Sequence, residues 1–357
     1  MTARRHRFAL AAAIAGLLVV PPLTARADSF QFTIAASHPP VSAWVKVLQE
    51  YVVQQSISEA EKLGHEITWT EAYAGVLFKF DTAVQALADG IAEFAWIGTL
   101  WQQNQMPLTN VTFYAPFGTG DPLVLNDIQN QLHDTQTALT NEWEDNGIVY
   151  LGGQSIDGYV ILSTEPVNTL DDLKGMKLMA PGAVSLWAAG AGAVGVDGGL
   201  PEYYNHIKTG VADGALIPGS AILPFKLQEV AKHVTHVNLG GCICGAFAVN
   251  KDTWDSLPEY MRAMFREIGR EYGRRVAQLI ADSRSAHFDI LETQGVTFTE
   301  LSAENQRAWA DAMPDIAGEW IAGLDSHGAG ARDVLIAYMA AQRAKGVTPL
   351  RDWDDAR

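Results

Sequence analysis

Between residues 30 and 97 the spacing of hydrophobic positions switches repeatedly between strand-like and helix-like, and each switch predicts a new element. Residues 42–63 carry Trp44, Val47, Leu48 and Tyr51 on one helical face. The predicted strands are residues 30–36, 66–73 and 94–97, and the predicted helices are residues 42–63 and 81–89. This order of strand and helix predicts a parallel sheet with helices on both faces.

The alternation continues to the end of the chain. After a helix at 127–146, the predicted strands are 149–151, 159–163, 176–180, 215–217 and 245–249, with helices at 184–192, 201–209, 258–294 and 303–344. The pattern is typical of an α/β protein of two lobes crossed by long carboxy-terminal helices. We expect a ligand crevice at the carboxyl ends of the strands. Residues 28–157 are predicted to form mainly the first lobe, residues 158–250 mainly the second, and residues 251–357 the helices that span both.

The amino-terminal residues 1–27 have the pattern of a secretory signal peptide. Arg4, Arg5 and Arg7 precede an apolar run at residues 8–20, and Ala25-Arg26-Ala27 offers a cleavage site. The run is too short for a membrane span of about 20 residues, so export is favoured over a membrane anchor. We expect a periplasmic protein that does not span the membrane after cleavage. The sequence leaves open the general secretory and the twin-arginine routes.

The composition and net charge limit the kinds of partner that this protein can have. Hydrophobic residues make up 48% and charged residues 18% of the 357 positions, which is a globular balance. The net charge is −16, and removing residues 1–27 takes away four arginines and leaves −20. Lys and Arg cluster only within the first seven residues, so we expect no nucleic-acid partner.

Catalytic and metal-binding motifs are missing from the sequence. It contains no Gly-x-Ser-x-Gly, His-Glu-x-x-His, P-loop or dinucleotide-binding glycine motif. The cysteines, Cys242 and Cys244, are interpreted as buried thiols, with a strained disulfide as the alternative. Their spacing from His233 and His236 fits no standard zinc site. We therefore expect no cofactor and no enzyme activity, and a hydrolase or lyase with scattered catalytic residues is the alternative class.

An ordered set of motifs resembles one family of binding proteins. The segment Thr169-Leu-Asp-Asp-Leu-Lys-Gly-Met-Lys-Leu178 is similar to a motif of the DctP-type periplasmic solute-binding proteins of TRAP (tripartite ATP-independent periplasmic) transporters. The other matching segments are Asp89-Gly-Ile-Ala-Glu-Phe94, Pro201-Glu-Tyr-Tyr204, Gly210-Val-Ala-Asp-Gly214 and Val249-Asn-Lys-x-x-Trp-x-x-Leu-Pro258. The resemblance implies a two-lobed protein that closes over a small organic solute and passes it to membrane permease subunits. We expect a monomer.

Three departures from the family pattern concern the ligand. An arginine that grips the ligand carboxylate in most members corresponds to Met179 here. A second arginine and an asparagine of sialic-acid-type members correspond to Tyr159 and Ile217. A buried carboxylate without a cationic partner is costly, so these changes favour a small amine or other cation as the ligand. An aromatic or dicarboxylic acid held by other groups and a neutral polar solute are the alternatives.

Five further residues are candidates for ligand binding, four of them because their side chains suit an amine. The rings of Trp96, Trp101 and Trp187 are candidates for cation–π contact. Asp157 is a candidate counter-charge, and His38 is a candidate ligand donor at the end of the first strand. The alternative for each tryptophan is ordinary packing in the core or between the lobes.

Overall fold

Two β-sheets flanked by helices make up the part of the chain that the computed structural model describes, residues 28–326 and 328–355. The strands are β1 (Ser29–Ala36), β2 (Glu66–Ala72), β3 (Phe94–Gly98), β4 (Ile148–Ile156), β5 (Tyr159–Ser163), β6 (Lys177–Met179), β7 (Val194–Val196), β8 (Gly214–Pro218), β9 (His233–His236), β10 (Cys242–Asn250) and β11 (Thr297–Glu300). The predicted signal peptide lies outside the described residues.

The helices cover both faces of the first sheet and link it to the second. They are α1 (Ala43–Val47), α2 (Gln54–Lys62), α3 (Ala83–Ala88), α4 (Pro122–Thr135), α5 (Thr137–Asp145), α6 (Val184–Gly190), α7 (Tyr203–Lys208), α8 (Lys251–Ser256), α9 (Glu259–Thr293), α10 (Ala303–Ala312), α11 (Ile316–Asp325) and α12 (Ala331–Ala344). A π-helical segment, Leu48–Val53, joins α1 to α2 into the predicted first helix. Among the described residues no helix is long and apolar enough to cross a membrane.

The sheet topology confirms the prediction of two α/β lobes. In the first sheet the strand order is β2-β1-β3-β10-β4, with β1 parallel to β2 and β3 as the sequence predicts. In the second sheet the order is β11-β9-β5-β8-β6-β7. Strand β10 comes from the range 158–250, yet it pairs antiparallel with β3 and β4 in the first sheet. The carboxy-terminal range likewise contributes β11 to the second sheet.

Two of the predicted helices are broken. The predicted helix at 127–146 is α4 followed by α5, because Gln136 adopts an extended backbone between them. The predicted helix at 303–344 is α10, α11 and α12. Met313 precedes a proline, which disfavours the helical region for it, and it ends α10 in the extended region. Gly330, with φ of 77°, begins α12 from a left-handed conformation.

Helix α9 is the longest element, and at about 1.5 Å per residue its 35 residues span roughly 50 Å. Its buried face includes Phe265, Tyr272 and Val276 and packs on the first sheet at β4. Gly152 and Gly269 bring the two backbones together, since a Cβ on Gly152 would overlap the carbonyl oxygen of Gly269. The helix ends next to β11 and so ties the second sheet to the first.

The chain passes between the sheets at a glycine-rich crossing. Strand β4 leads through Asp157 and Gly158 into β5, and β9 returns through residues 237–241 to β10. The two passages are bonded together, because the Tyr159 N–H donates to the Gly240 carbonyl at 2.9 Å. Gly240 has φ of +86°, and a Cβ there would lie 3.0 Å from the Gly118 backbone. This crossing places β5 at the junction of the lobes.

Candidate functional site

A small cavity, here called the inner cavity, lies where the two sheets meet. The first lobe contributes Trp44, Trp96, Leu100, Trp101, Ile156 and Cys244, and the second contributes Tyr159, Pro181, Leu200, Tyr203, Leu216, Ile217 and Pro218. Its free volume is about 40 Å³, enough for a few water molecules. Among the described residues, none that lines it carries a charged side chain.

Three aromatic rings pack around His38 at the first-lobe side of the inner cavity, in edge-on or tilted arrangements. The His38 ring centroid lies 4.9 Å from that of Trp96, 5.3 Å from Trp101 and 5.7 Å from Trp44. His38 is fully buried, its Nδ1 is 3.0 Å from the Ser37 hydroxyl, and burial lowers its pKa to about 3. The imidazole is therefore neutral near pH 7 and supplies no positive charge.

The lobes touch each other beside the inner cavity. The Trp101 indole N–H donates to the carbonyl oxygen of Gly198 in the second lobe at 3.3 Å. Phe80 packs on Trp101 with ring centroids 5.4 Å apart, and a Cβ on Gly199 would lie 2.5 Å from Phe80. The cleft is closed on this side, so the inner cavity is reached from here only when the lobes separate or side chains move.

The structure brings four of the predicted site residues together around the inner cavity. Trp96 and Trp101 face Tyr159 and Ile217 across it. Met179 is fully buried on β6 and does not line it; the Met179 methyl lies 3.0 Å from the position of a Cβ on Gly198. Tyr159 stays protonated, because burial raises the pKa of its phenol well above the usual value.

Trp187 lies behind the cavity wall. Its indole N–H donates to the Phe113 carbonyl at 2.7 Å, and its ring packs edge-on against Tyr159 with centroids 5.2 Å apart. The residue is fully buried and supports Tyr159 from the side away from the inner cavity. The described contacts are those of a packing residue.

Asp157 is engaged at the lobe crossing. Its carboxylate accepts hydrogen bonds from the Ser220 hydroxyl at 2.6 Å and the Ser220 N–H at 3.1 Å, and Arg284 Nε on α9 lies 3.5 Å away. Burial raises the pKa of Asp157, and the bonds from Ser220 and the charge of Arg284 oppose this effect. These partners hold the carboxylate at the crossing, outside the set of residues that line the inner cavity.

Sequence reasoning did not single out several residues of the site. The sequence identifies Trp44 only by its helix periodicity and gives no signal for Gln154; Trp44 is buried on α1, and Gln154 is buried near the carboxyl end of β4. Among the described residues, the indole Nε1 atoms of Trp44 and Trp96 have no hydrogen-bond partner, and the side-chain Nε2 of Gln154 has none either. A tryptophan following a buried strand was the available signal.

The two cysteines are free and buried. Cys244 lines the inner cavity, and its thiol donates to Gln154 Oε1 at 3.0 Å. Burial raises the pKa of Cys244 to about 12, so the group is a neutral thiol at physiological pH. Within the described ranges, no group of three His, Cys, Asp or Glu residues is arranged to hold a metal ion.

An outer groove adjoins the inner cavity. It has a volume of about 370 Å³ and is lined by residues of α1 and the preceding turn, of the segment after β8, and of α9. Trp44 lines both spaces and so forms part of the wall between them. The groove is much larger than the inner cavity.

Comparison with known proteins identifies the family. The family described as bacterial extracellular solute-binding protein, family 7 (DctP), matches residues 53–322, about three quarters of the chain. The chain belongs to the DctP family. The resemblance to TRAP solute-binding proteins, predicted from the motifs, is confirmed.

Several relatives of this DctP-family chain have names that state a small acidic ligand. A protein of Rhodobacter capsulatus named C4-dicarboxylate-binding periplasmic protein DctP is 28% identical over 229 residues, 60% of this chain and 68% of that one. A marine metagenome TRAP solute-binding protein, specific for pyroglutamate, has a TM-score of 0.75 at 20% identity, covering 88% of this chain and 99% of that one. A TRAP protein from Desulfovibrio salexigens with bound orotic acid gives 0.75 at 18% identity over the same shares. The two structures support the fold.

Proposed function

We propose that this protein is the extracytoplasmic receptor of a TRAP transporter, which captures a small organic solute between its lobes and delivers it to membrane permease subunits. Membership in the DctP family and the cavity at the lobe junction support this role. The pattern of residues 1–27 supports export to the periplasm. The protein binds and releases its solute without making or breaking bonds, which separates it from the hydrolase or lyase alternative.

The solute that we favour is a compact organic acid or neutral carbonyl compound with an apolar body. The observation that carries this choice is the lining of the inner cavity, which among the described residues contains no carboxylate. A buried ammonium needs a counter-charge or several acceptors. Indole N–H groups only donate, so Trp44 and Trp96 suit oxygen acceptors.

An amine, which the sequence favoured, finds less support at this site. The aromatic rings remain suitable for cation–π contact, but Asp157 is already held by Ser220 and Arg284. The ligands of the two solved relatives described above, pyroglutamate and orotic acid, both carry a carboxyl group and a ring carbonyl. They supply the chemical starting points for a search on this chain.

A thermal-shift screen tests the proposed solute class. The panel contains orotate, pyroglutamate, C4-dicarboxylates, aromatic acids, amides and amines, each with the purified mature chain. Acids or carbonyl compounds should raise the melting temperature, because a ligand of the native state stabilises it by RT ln(1 + [L]/Kd). A shift by amines alone would reject the solute class.

Recovery of the bound solute tests the role itself. Mass spectrometry of the solute released after incubation should find it unaltered. If a product forms only in the presence of the protein, the protein is an enzyme and the proposed receptor role is wrong.

A further inference from the structure

We propose that Trp96, Gln154 and Cys244, here called the polar corner, recognise an uncharged carbonyl oxygen of the solute, such as that of an amide, lactam or imide. In this arrangement the Trp96 indole N–H and the Gln154 amide N–H donate to the oxygen. This inference rests on the proposed function, because it names the group of the solute that the inner cavity receives.

The first observation is a pair of buried donors. Trp96 and Gln154 are 1% and 0% exposed, and within the described chain Trp96 Nε1 and Gln154 Nε2 have no hydrogen-bond partner. Buried polar groups in folded proteins are almost always paired, so an unpaired donor at a cavity needs an explanation. A solute oxygen would satisfy both groups.

The second observation is that three strands bring these groups to one place. Trp96 is on β3, Gln154 on β4 and Cys244 on β10, and β10 lies between the other two. Trp96 and Cys244 line the inner cavity, and Gln154 Oε1 is 3.0 Å from the Cys244 sulfur. The polar corner therefore opens on the inner cavity through two of its three members.

Gly245 allows the polar corner to pack closely against the backbone of β10. A Cβ at this position would lie 2.8 Å from Trp96 Nε1 and 2.9 Å from Gln154 Oε1, so both groups lie next to the same glycine and leave no room for a side chain there. It would also lie 2.6 Å from the Ile97 carbonyl oxygen. Any larger residue would displace the groups that form the corner.

The thiol of Cys244 orients the Gln154 amide. Because the S–H donates to Oε1, the Nε2 end of the amide remains as a donor. The thiol keeps this role at physiological pH, since burial holds it in the protonated form. The corner consequently presents donors, and an acceptor is the complementary solute group.

The same neighbourhood favours a neutral acceptor over a carboxylate. His38 is a neutral imidazole beside Trp96, and none of the described residues that line the inner cavity is cationic. A carboxylate placed here would lose its hydration without an opposite charge. A carbonyl oxygen loses less on burial and is fully satisfied by two N–H donors.

Matched solutes test the charge preference. The probes are 2-pyrrolidone against pyroglutamate and uracil against orotate, pairs that share the ring carbonyls and differ by one carboxylate. Calorimetric titration should find binding of at least one carbonyl probe, with the neutral member of the pair bound as tightly as its acid or more tightly. Failure of both neutral probes to bind, or a strong preference for both acids, would overturn the neutral-carbonyl assignment.

Matched variants test the residues. Trp96→Phe keeps an aromatic face without the N–H, and Gln154→Met keeps the length without the amide. Each should weaken the best carbonyl probe by about tenfold, as expected for the loss of a hydrogen bond. Trp143→Phe is the control, since Trp143 is buried in the first lobe and its N–H is bonded to Thr109; its affinity for the probe should equal that of the wild type.

The outcomes separate this inference from the proposed function. If acids or carbonyl compounds bind the wild type and both corner variants equally well, the polar corner does not recognise the solute, and the receptor role stands. If only amines bind, the proposed solute class fails as well. Circular dichroism melting of each variant verifies that it is folded before titration.

Discussion

At the scale of the residue, the site is defined by side chains that cannot carry charge near pH 7. His38 is neutral by burial, Cys244 is a protonated thiol, and Met179 stands where most relatives have an arginine by the resemblance of the motif. The aromatic and aliphatic residues of the inner cavity add apolar surface without charge. We therefore expect recognition there to depend on shape and on hydrogen bonds between uncharged groups.

Met179→Arg should shift the solute preference towards acids. The substitution restores a cation on β6, close to Gly198 and to Glu202, whose Oε2 lies 3.0 Å from the position of a Cβ on Gly198. We expect the affinity for pyroglutamate relative to 2-pyrrolidone to rise about tenfold, since hydrogen bonds between charged groups are the stronger ones. Met179→Leu, the control, should leave the ratio unchanged. An unaltered ratio in the arginine variant would mean that a cation introduced at position 179 does not reach the solute.

The buried His38 and the partly buried His133 should make the fold sensitive to acid. Burial lowers the pKa of His38 and of His133 to about 3, below the usual 6.5 of the unfolded chain. The unfolded state therefore binds more protons below pH 6.5, and stability is lost as the pH falls from 6.5 towards 3, by up to about 1.4 kcal/mol per pH unit and histidine. His133→Phe keeps the stacking on Tyr150, where the ring centroids are 3.6 Å apart.

Melting temperatures measured from pH 7.5 to pH 4 provide the check. The wild type should lose stability more steeply than His133→Phe, because carboxylate protonation affects both chains alike. If the melting temperatures of the wild type and of His133→Phe fall in parallel with pH, His133 is not held neutral in the folded protein.

At the scale of the element, close packing of α9 on the first sheet holds the frame of the site. The contact depends on Gly152 and Gly269, where backbone meets backbone without side chains. The strand pattern allowed the parallel part of this sheet and the long helix to be predicted from sequence. The break at Gln136 and the antiparallel insertion of β10 could not be predicted, because neither leaves a local signal and both depend on tertiary pairing.

Gly269→Ala should destabilise this contact strongly. Its Cβ would overlap the Leu151 carbonyl oxygen and lie 2.5 Å from the carbonyl carbon, so α9 must move away from β4. Overpacking costs about 1–3 kcal/mol and more against rigid backbone. Gly323→Ala in α11 is the control, since a Cβ there has no atom of the described residues within 4 Å outside the helix's own backbone, and it should stabilise by about 1 kcal/mol through helix propensity. Urea unfolding measures both; equal stability of the two variants would refute the role of close packing.

At the scale of the whole molecule, the site exists only because two lobes meet. The inner cavity is lined by Trp96 and Cys244 of the first sheet and by Tyr159 and Ile217 of the second. At the crossing, Asp157 pairs with Arg284, more than a hundred positions away in the sequence. The motif departures at Tyr159, Met179 and Ile217 predict a site without fixed positive charge; Tyr159 and Ile217 line the inner cavity, and Met179 does not. The engagement of Asp157 and the place of Trp44 could not be predicted, because sequence distance does not reveal which side chains meet in a cleft.

Phe80→Ala should speed release of the solute. Phe80 is not one of the residues that line the inner cavity, but it bridges the lobes by packing on Trp101 and against Gly199. Removing the ring weakens the closed arrangement and leaves the solute contacts in place, so the dissociation rate should rise several-fold, to about tenfold, with little change in association. Stopped-flow tryptophan fluorescence with the best probe measures both rates.

Phe30→Ala is the control for this prediction. Phe30 is a half-buried ring stacked on Phe32 within the first lobe, so its removal should leave both rates unchanged. The lobes touch each other at Phe80, so a solute can leave the inner cavity on that side only if they separate there. Equal dissociation rates in the two variants would therefore mean that release does not proceed by separation at Phe80.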